Sequence, residues 1–160
     1  MEEKSMAEIR QIIFKIGTEE YGFDVQLVNA IEPYMNIVPV PNAPSCILGL
    51  MNLRGDVIPV YSLRKKFGMG EMPPTPETKL IVTRAKDMLL AFKVDAVVEI
   101  LDFKEAQMVE KPIIIKTTET EYIRSIAHLN NRMFLLVDHE HVLNEAENAI
   151  VQEIFEQENS

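Results

Sequence analysis

Few residues of this 160-residue chain have the types and spacing to do chemistry. Its single cysteine, Cys46, stands in Pro44-Ser45-Cys46-Ile47-Leu48 with no histidine near it in sequence. A reactive thiolate needs a base or a positive charge beside it, so a lone cysteine in apolar sequence reads as a small buried hydrophobe. It also excludes an internal disulfide and fits a reducing compartment. Asp138-His139-Glu140-His141 has the residue types of a metal site and is the one opening for a metal-dependent enzyme. From His139 the sequence reads as a helix, on which two histidines two positions apart sit about 200° apart, so it does not turn both toward one ion easily. Asp138 is better explained as the N-cap of a following helix. His128 stands alone in a strand. Gly49 and Gly55 fit neither the dinucleotide nor the P-loop spacing, and no carboxylate pair is placed for glycoside chemistry. Arg54-Gly55-Asp56 has the composition of an adhesion signal, but Met1-Glu2-Glu3-Lys4-Ser5 lacks the basic start and apolar core of an export signal. The expectation is a cytoplasmic protein with no catalytic residue, no cofactor and no metal.

The elements that carry these residues are mostly strands. Apolar residues at Ile9, Ile12, Ile13, Phe14 and Ile16 predict a strand, Gly17 to Glu20 a turn, and Tyr21 and Phe23 a second strand. From Val25 the spacing of Val25, Val28 and Ile31 changes to the three-residue step of a short helix. Eight of the nine prolines fall between Pro33 and Pro76, marking strand ends and fixed loops. Leu50 to Tyr61 reads as a hairpin turning at Arg54-Gly55-Asp56, and Ser62 as the cap of a short helix through Phe67. Further strands are expected at Lys79–Thr83, Met88–Val94, Val97–Phe103, Tyr122–Leu129 and Met133–Asp138, with an irregular connection over Lys104 to Glu121. Apolar residues at Val142, Leu143, Ala146, Ala149, Ile150 and Ile154 predict an amphipathic C-terminal helix from His139.

The two halves follow one plan. A shift of 69 lays Phe23, Val25, Val28 and Ile31 on Phe92, Val94, Val97 and Ile100, and a shift of 77 lays Val57–Val60 on Phe134–Val137. The expected fold is therefore all-β: a duplicated unit forming two barrels of about five short strands, the first mainly over 17–77 and the second mainly over 78–143. A flexible N-terminus (1–8) and an acidic C-terminal helix and tail (144–160) flank them. Val28 and Ile31 leave the first barrel where Val97 and Ile100 leave the second. Such residues either belong to the core or line a shared apolar groove able to seat a partner helix.

Charge narrows the partners. The net charge is −9, from 16 Lys and Arg against 25 Asp and Glu. Residues 133–160 hold seven of those acidic residues and no Lys or Arg, leaving the barrels close to neutral. An acidic chain is repelled by phosphate backbones and anionic lipid, so nucleic-acid binding is not expected, and with no stretch of roughly 18 apolar residues neither is membrane insertion. Near-neutral barrels suit apolar docking better than long-range steering.

Three blocks carry a family resemblance: Phe14-Lys15-Ile16-Gly17-Thr18-Glu19-Glu20-Tyr21-Gly22-Phe23-Asp24-Val25; Pro39-Val40-Pro41 with Ala43-Pro44; and Gly49-Leu50-Met51-Asn52-Leu53-Arg54-Gly55-Asp56-Val57-Ile58-Pro59-Val60 with Leu63-Arg64-Lys65-Lys66-Phe67. In this order they resemble the CheW family of bacterial chemotaxis coupling proteins, over about Ile9 to Leu143. The resemblance implies two five-stranded SH3-like barrels. It implies a non-catalytic adaptor that binds the regulatory domain of the histidine kinase CheA, itself a double barrel, and the helical cytoplasmic tip of methyl-accepting chemotaxis receptors. Such an adaptor is recruited to receptor arrays at the inner face of the membrane. By the same resemblance the receptor groove falls on Ile12, Val25, Val28, Ile31 and Val97 with Ile100 beside them, and a functional hairpin on Asn52, Arg54 and Gly55. Kinase contacts fall on exposed apolar residues at the barrel ends. One departure stands out. Where many members carry Val-x-Glu-Ile, this chain reads Val28-Asn29-Ala30-Ile31, so a polar contact made by that glutamate is not expected. Outside the resemblance, a small-ligand-binding double barrel and a metal enzyme using His139 and His141 are the alternatives.

Overall fold

The computed structural model describes residues 9–85, 87–109 and 121–158; the expected flexible N-terminus (1–8) and most of the irregular connection before Glu121 lie outside them. Among the described residues eleven strands form two sheets: β1 (Ile9–Ile16), β2 (Glu19–Asp24), β3 (Val28–Pro33), β4 (Ile47–Leu53), β5 (Asp56–Ser62), β6 (Lys79–Ala85), β7 (Met88–Val94), β8 (Ala96–Phe103), β9 (Met108–Val109), β10 (Ile123–Leu129) and β11 (Arg132–Val137). The same residues add two helices, α1 (Leu63–Lys66) and α2 (Glu145–Glu158). The sheet orders are β8-β1-β2-β11-β10-β9 and β3-β6-β7-β5-β4.

These orders correct the expected barrel boundaries. The second sheet is built from one continuous stretch, residues 28–94, while the first takes β1 and β2 from the start of the chain and β8 to β11 from its end. The continuous unit is the inserted barrel and the other the split barrel. The duplication itself holds, since β8-β1-β2-β11-β10 in one sheet corresponds strand for strand to β3-β6-β7-β5-β4 in the other. The repeats exchange strands, so a repeat is not a barrel. Each crossing occurs at the sequence match found by the shift of 69: β2 leads into β3 and β7 into β8, each passing from one sheet to the other.

Both sheets close by one device. Past the end of β3, Val38 exchanges two 2.8 Å backbone hydrogen bonds with Leu50 on the far edge strand β4. Past the end of β8, a 3-10 turn (Glu105–Gln107) leads into β9, which pairs with the far edge strand β10. Closure removes the unpaired edges that would otherwise recruit other strands. In the inserted barrel it depends on Gly49, with φ of +152° and a backbone approach so close that a Cβ would lie 2.2 Å from the Val38 carbonyl oxygen.

Three apolar clusters result. One fills the split barrel (Ile13, Phe103, Ala127, Phe134, Leu136), one fills the inserted barrel (Met51, Leu53, Ile58, Val60, Leu80, Val82, Ala91), and the largest forms the seam between the sheets. Along the seam seven rings run Tyr122, Phe67, Tyr21, Phe14, Phe23, Phe92, Tyr61, with successive centroids 4.7–5.8 Å apart. β1 is buried on both faces because Ile13 points into the split barrel while Phe14 and Ile16 point into the seam.

The helices hold one agreement and one correction. Ser62 caps α1 as expected, its Oγ accepting the Lys65 N–H at 3.1 Å. Asp138 does not cap α2. Its Oδ1 accepts from Glu140 N–H at 3.0 Å and closes a local turn, while the helix starts at Glu145 after a capping box: Glu147 N–H donates to Asn144 Oδ1 (2.8 Å) and Asn144 N–H to Glu147 Oε1 (2.9 Å). The apolar stripe also shifts. Val142 and Leu143 are buried but precede the helix, Ala146 and Ala149 are exposed, and Glu147, Ile150, Val151 and Ile154 turn inward. Glu147 tolerates burial because it also accepts the Tyr61 hydroxyl at 2.9 Å.

Gly49→Ala is expected to lose about 2 kcal/mol or more, since both its dihedral and its contact with Val38 are violated. Urea unfolding measures this as a lower midpoint at unchanged slope; an unaltered midpoint would contradict the closure described.

Candidate functional site

Val28 and Ile31 do not lie on a helix. The helical turn ends after three residues as a 3-10 turn (Val25–Leu27), held by Asp24 Oδ1 accepting the Gln26 N–H at 2.9 Å, and Val28 opens strand β3. On a regular strand, residues three apart face opposite sides. Here a bulge at Asn29 intervenes: Val28 stands opposite Thr83, Ala30 opposite Val82 and Ile31 opposite Ile81. Thr83 and Ile81 share a face, and directly opposed residues project to the same side, so the extra residue brings Val28 and Ile31 together. β8 repeats the arrangement. Val97 stands opposite Phe14, Glu99 opposite Ile13 and Ile100 opposite Ile12, with Val98 the extra residue. The spacing of three does gather these residues, but by a bulge instead of a helix, since both bring residues i and i+3 to one side.

The two bulged strands occupy corresponding edges of their sheets. Val28 and Val97 are half-buried and pack on the same seam, whereas Ile31 (39% exposed) and Ile100 (57%) present aliphatic surface to solvent. Val25, half-buried, sits on the crossover turn that touches β1 and β6, one strand from each sheet. Ile12 differs from the expectation: at 4% exposure it is core, not surface, standing beside Ile100 on the neighbouring strand. Val98, the bulged residue between Val97 and Glu99, is 41% exposed and is absent from the sequence expectation; the shift of 69 that pairs it with Asn29 is the available signal.

The hairpin between β4 and β5 carries the second candidate set. Arg54 and Gly55 have φ of +51° and +93°, the two positive values that a type I′ turn requires, and Asn52 Oδ1 accepts the Gly55 N–H at 3.1 Å. The corresponding hairpin of the split barrel uses Asn130 and Asn131 at +53° and +64°. Asparagine tolerates that conformation, while arginine in it costs roughly 1–2 kcal/mol. The Arg54 side chain is 71% exposed, and its Nη2 donates to Glu32 Oε2 at 2.9 Å. Glu32 lies on the same face of β3 as Ala30, one pleat further along. A carboxylate contact is thus present two residues beyond the glutamate position noted in the sequence. It latches the hairpin to β3 much as Arg132 latches its own hairpin to Glu99 on β8 at 2.8 Å.

The residues considered for catalysis are placed otherwise. Burial, with Glu147 nearby, pushes the Cys46 thiol up, so it is a poor nucleophile. His139 is 5% exposed with no partner for either ring nitrogen among the described residues, whereas His141 is exposed and its Nδ1 meets Asp138 Oδ2 at 2.7 Å. Among the described residues no group of three or more His, Cys, Asp or Glu is placed to hold a metal ion, and no helix is long and apolar enough to cross a membrane.

Comparison with known proteins decides the family. The CheW-like domain profile matches residues 10–147. The chain belongs to the CheW-like domain family. It is 34% identical to the chemotaxis protein CheW of Klebsiella aerogenes over 143 residues, covering 89% of this chain and 86% of that one. With the CheW of Bacillus subtilis it shares 29% over 134 residues, 84% and 86% of the two chains. Its fold is similar to that of the scaffolding protein TtCheW from Thermoanaerobacter tengcongensis, with a TM-score of 0.78, 26% identity and coverage of 88% and 90%. As a CheW-like protein the chain is a non-catalytic chemotaxis adaptor.

Arg54→Asn should leave stability unchanged or raise it by up to about 1 kcal/mol, because relief of the left-handed arginine offsets an exposed ion pair; a clear loss in thermal unfolding would make the arginine structural. Hydrogen bonding to Asp138 holds His141 above the usual 6.5, so the pair adds stability below that value and loses it as pH rises through the raised one. NMR titration should show the His141 midpoint falling back toward 6.5 in Asp138→Asn.

Proposed function

We propose that this CheW-like adaptor couples methyl-accepting chemotaxis receptors to a CheA-type histidine kinase in the cytoplasm, joined to receptor arrays at the inner face of the membrane. The observation that carries the reading is the pair of bulged edge strands β3 and β8, each aligning two aliphatic residues on one face above a common aromatic seam. Val25, Val28, Ile31, Val97, Val98 and Ile100 form the receptor face, with the buried Ile12 beside Ile100. An apolar stripe of this kind takes the hydrophobic face of a helical hairpin, with residues of the partner helix spaced three and four apart. Arg54, with Asn52 and Gly55 holding its turn, projects from the neighbouring hairpin as a fixed fork of donors for carboxylate or carbonyl groups. The kinase regulatory domain docks on barrel ends, so one adaptor holds receptor and kinase at once.

Binding to a receptor cytoplasmic fragment and to the CheA regulatory domain, each by calorimetric titration, tests the reading. Ile100→Asp and Ile31→Asp change exposed residues and should keep the fold while weakening receptor binding by about tenfold or more. Val28→Asp should do the same with some loss of stability. Arg54→Ala should reduce kinase activation in reconstituted arrays. Full receptor affinity in both isoleucine variants would refute the assignment of this face.

A further inference from the structure

The seam between the barrels is apolar, and apolar contact is nearly non-directional: it holds two sheets together without fixing the angle between them. Directional contacts lie at Tyr61, whose hydroxyl donates to Glu147 on α2, and, densest, at the crossover from β7 to β8. Asp95, the one residue between those strands, donates its backbone N–H to the Lys15 carbonyl at 3.0 Å. Its Oδ2 accepts the Gly17 N–H at 2.7 Å and Arg64 Nη1 at 2.5 Å. Lys15 and Gly17 belong to the split barrel, and Arg64 lies on α1, which extends β5 of the inserted barrel. A single carboxylate oxygen therefore ties the two barrels together. The pair is well shielded, with side-chain exposures of 13% for Arg64 and 30% for Asp95.

The surroundings hold both partners in place. Arg64 Nε donates to the Gly70 carbonyl at 2.9 Å, and two residues before Asp95, Lys93 pairs with Glu71 and donates to the Met72 carbonyl at 3.0 Å. Glu71 also accepts the Ser62 hydroxyl at 2.5 Å. The segment 70–72 is thus strapped over the end of the crossover. At the other crossover, β2 to β3, the described side-chain contact is the local Asp24 cap. Of the two crossovers, the one from β7 to β8 carries the polar pin between barrels.

We propose that Asp95 is a positioning residue that fixes the angle between the barrels, and through it the separation of the β3 and β8 faces. β8 begins at the next residue, so Val97 and Ile100 move with the split barrel, whereas Val28 and Ile31 move with the inserted one. The functional half of this inference rests on the receptor reading above; the structural half does not.

The test uses the full chain with Cys46→Ala and spin labels on cysteines introduced at the exposed positions Asp87 (inserted barrel) and Arg124 (split barrel). Asp95→Asn keeps an oxygen for the Gly17 N–H but loses the ion pair. It should shift or broaden the inter-barrel distance distribution and weaken receptor binding by about threefold or more, with affinity for the kinase regulatory domain kept within about twofold. Asp95→Glu should restore part of both losses. Should Asp95→Asn not fold, Arg64→Lys supplies the same readouts, because one ammonium cannot meet Asp95 and Gly70 as the guanidinium does. An unchanged distance distribution overturns the positioning role. A changed distribution with unchanged receptor affinity leaves that role standing and overturns its link to the receptor face.

Discussion

The aromatic seam is the contact on which the rest of the structure depends. Seven rings drawn from both sheets, from Phe67 at the C-cap of α1 and from Tyr122 just before β10, make a continuous apolar wall, and each ring buries on the order of 150–250 Å². Among the described residues no other apolar cluster draws on both sheets. Because β1 serves as a wall of both the split barrel and the seam, the interior of one barrel cannot be repacked without disturbing the contact between the two.

The surface built on that wall is correspondingly rigid. Val28 and Val97 are rooted in the seam, and Ile31 and Ile100 stand one bulge further along the same faces. A bulge costs a ladder hydrogen bond and in return re-aims side chains, and two of them at corresponding positions place four aliphatic residues where regular strands would place two. The adaptor's exposed apolar residues are therefore an extension of its core to the solvent. The polar groups act differently, as fasteners between elements. Arg54 and Arg132 latch hairpins to edge strands, and Asp95 joins the barrels.

Much of this is legible in the residues. The hairpin at Arg54-Gly55, the Ser62 cap, the strand positions and the duplication all follow from local rules that tertiary structure leaves intact. The differences have identifiable physical reasons. Val25-Val28-Ile31 looks helical in sequence because periodicity alone cannot separate a helix from a bulged strand. The barrel boundaries differ because a repeat in sequence is not a unit in space, and pairing between distant strands has no local signature. Asn144 caps the last helix in place of Asp138 because a turn separates that helix from the last strand, and Asn144-x-x-Glu147 is the fuller capping motif. The resemblance places Ile12 in the groove, while the structure buries it beside Ile100, its partner across β1 and β8. The Asp95 contacts join residues 17, 64 and 95, which no short window along the chain contains together.

The insertion of one barrel inside the other also sets an order of events on the ribosome. Residues 28–94 supply every strand of the inserted barrel, so that barrel can close while the C-terminal third of the chain is still being made. The β1–β2 hairpin, synthesised before them, finds both of its sheet partners, β8 and β11, only after residue 137 has emerged. Until then its seam face, Phe14, Tyr21 and Phe23, can be covered by the finished barrel, but Ile13 on the other side has no core to enter. The nascent protein thus carries a hairpin that is half satisfied for most of its synthesis, and the oldest strands of the chain are among the last to be fully buried.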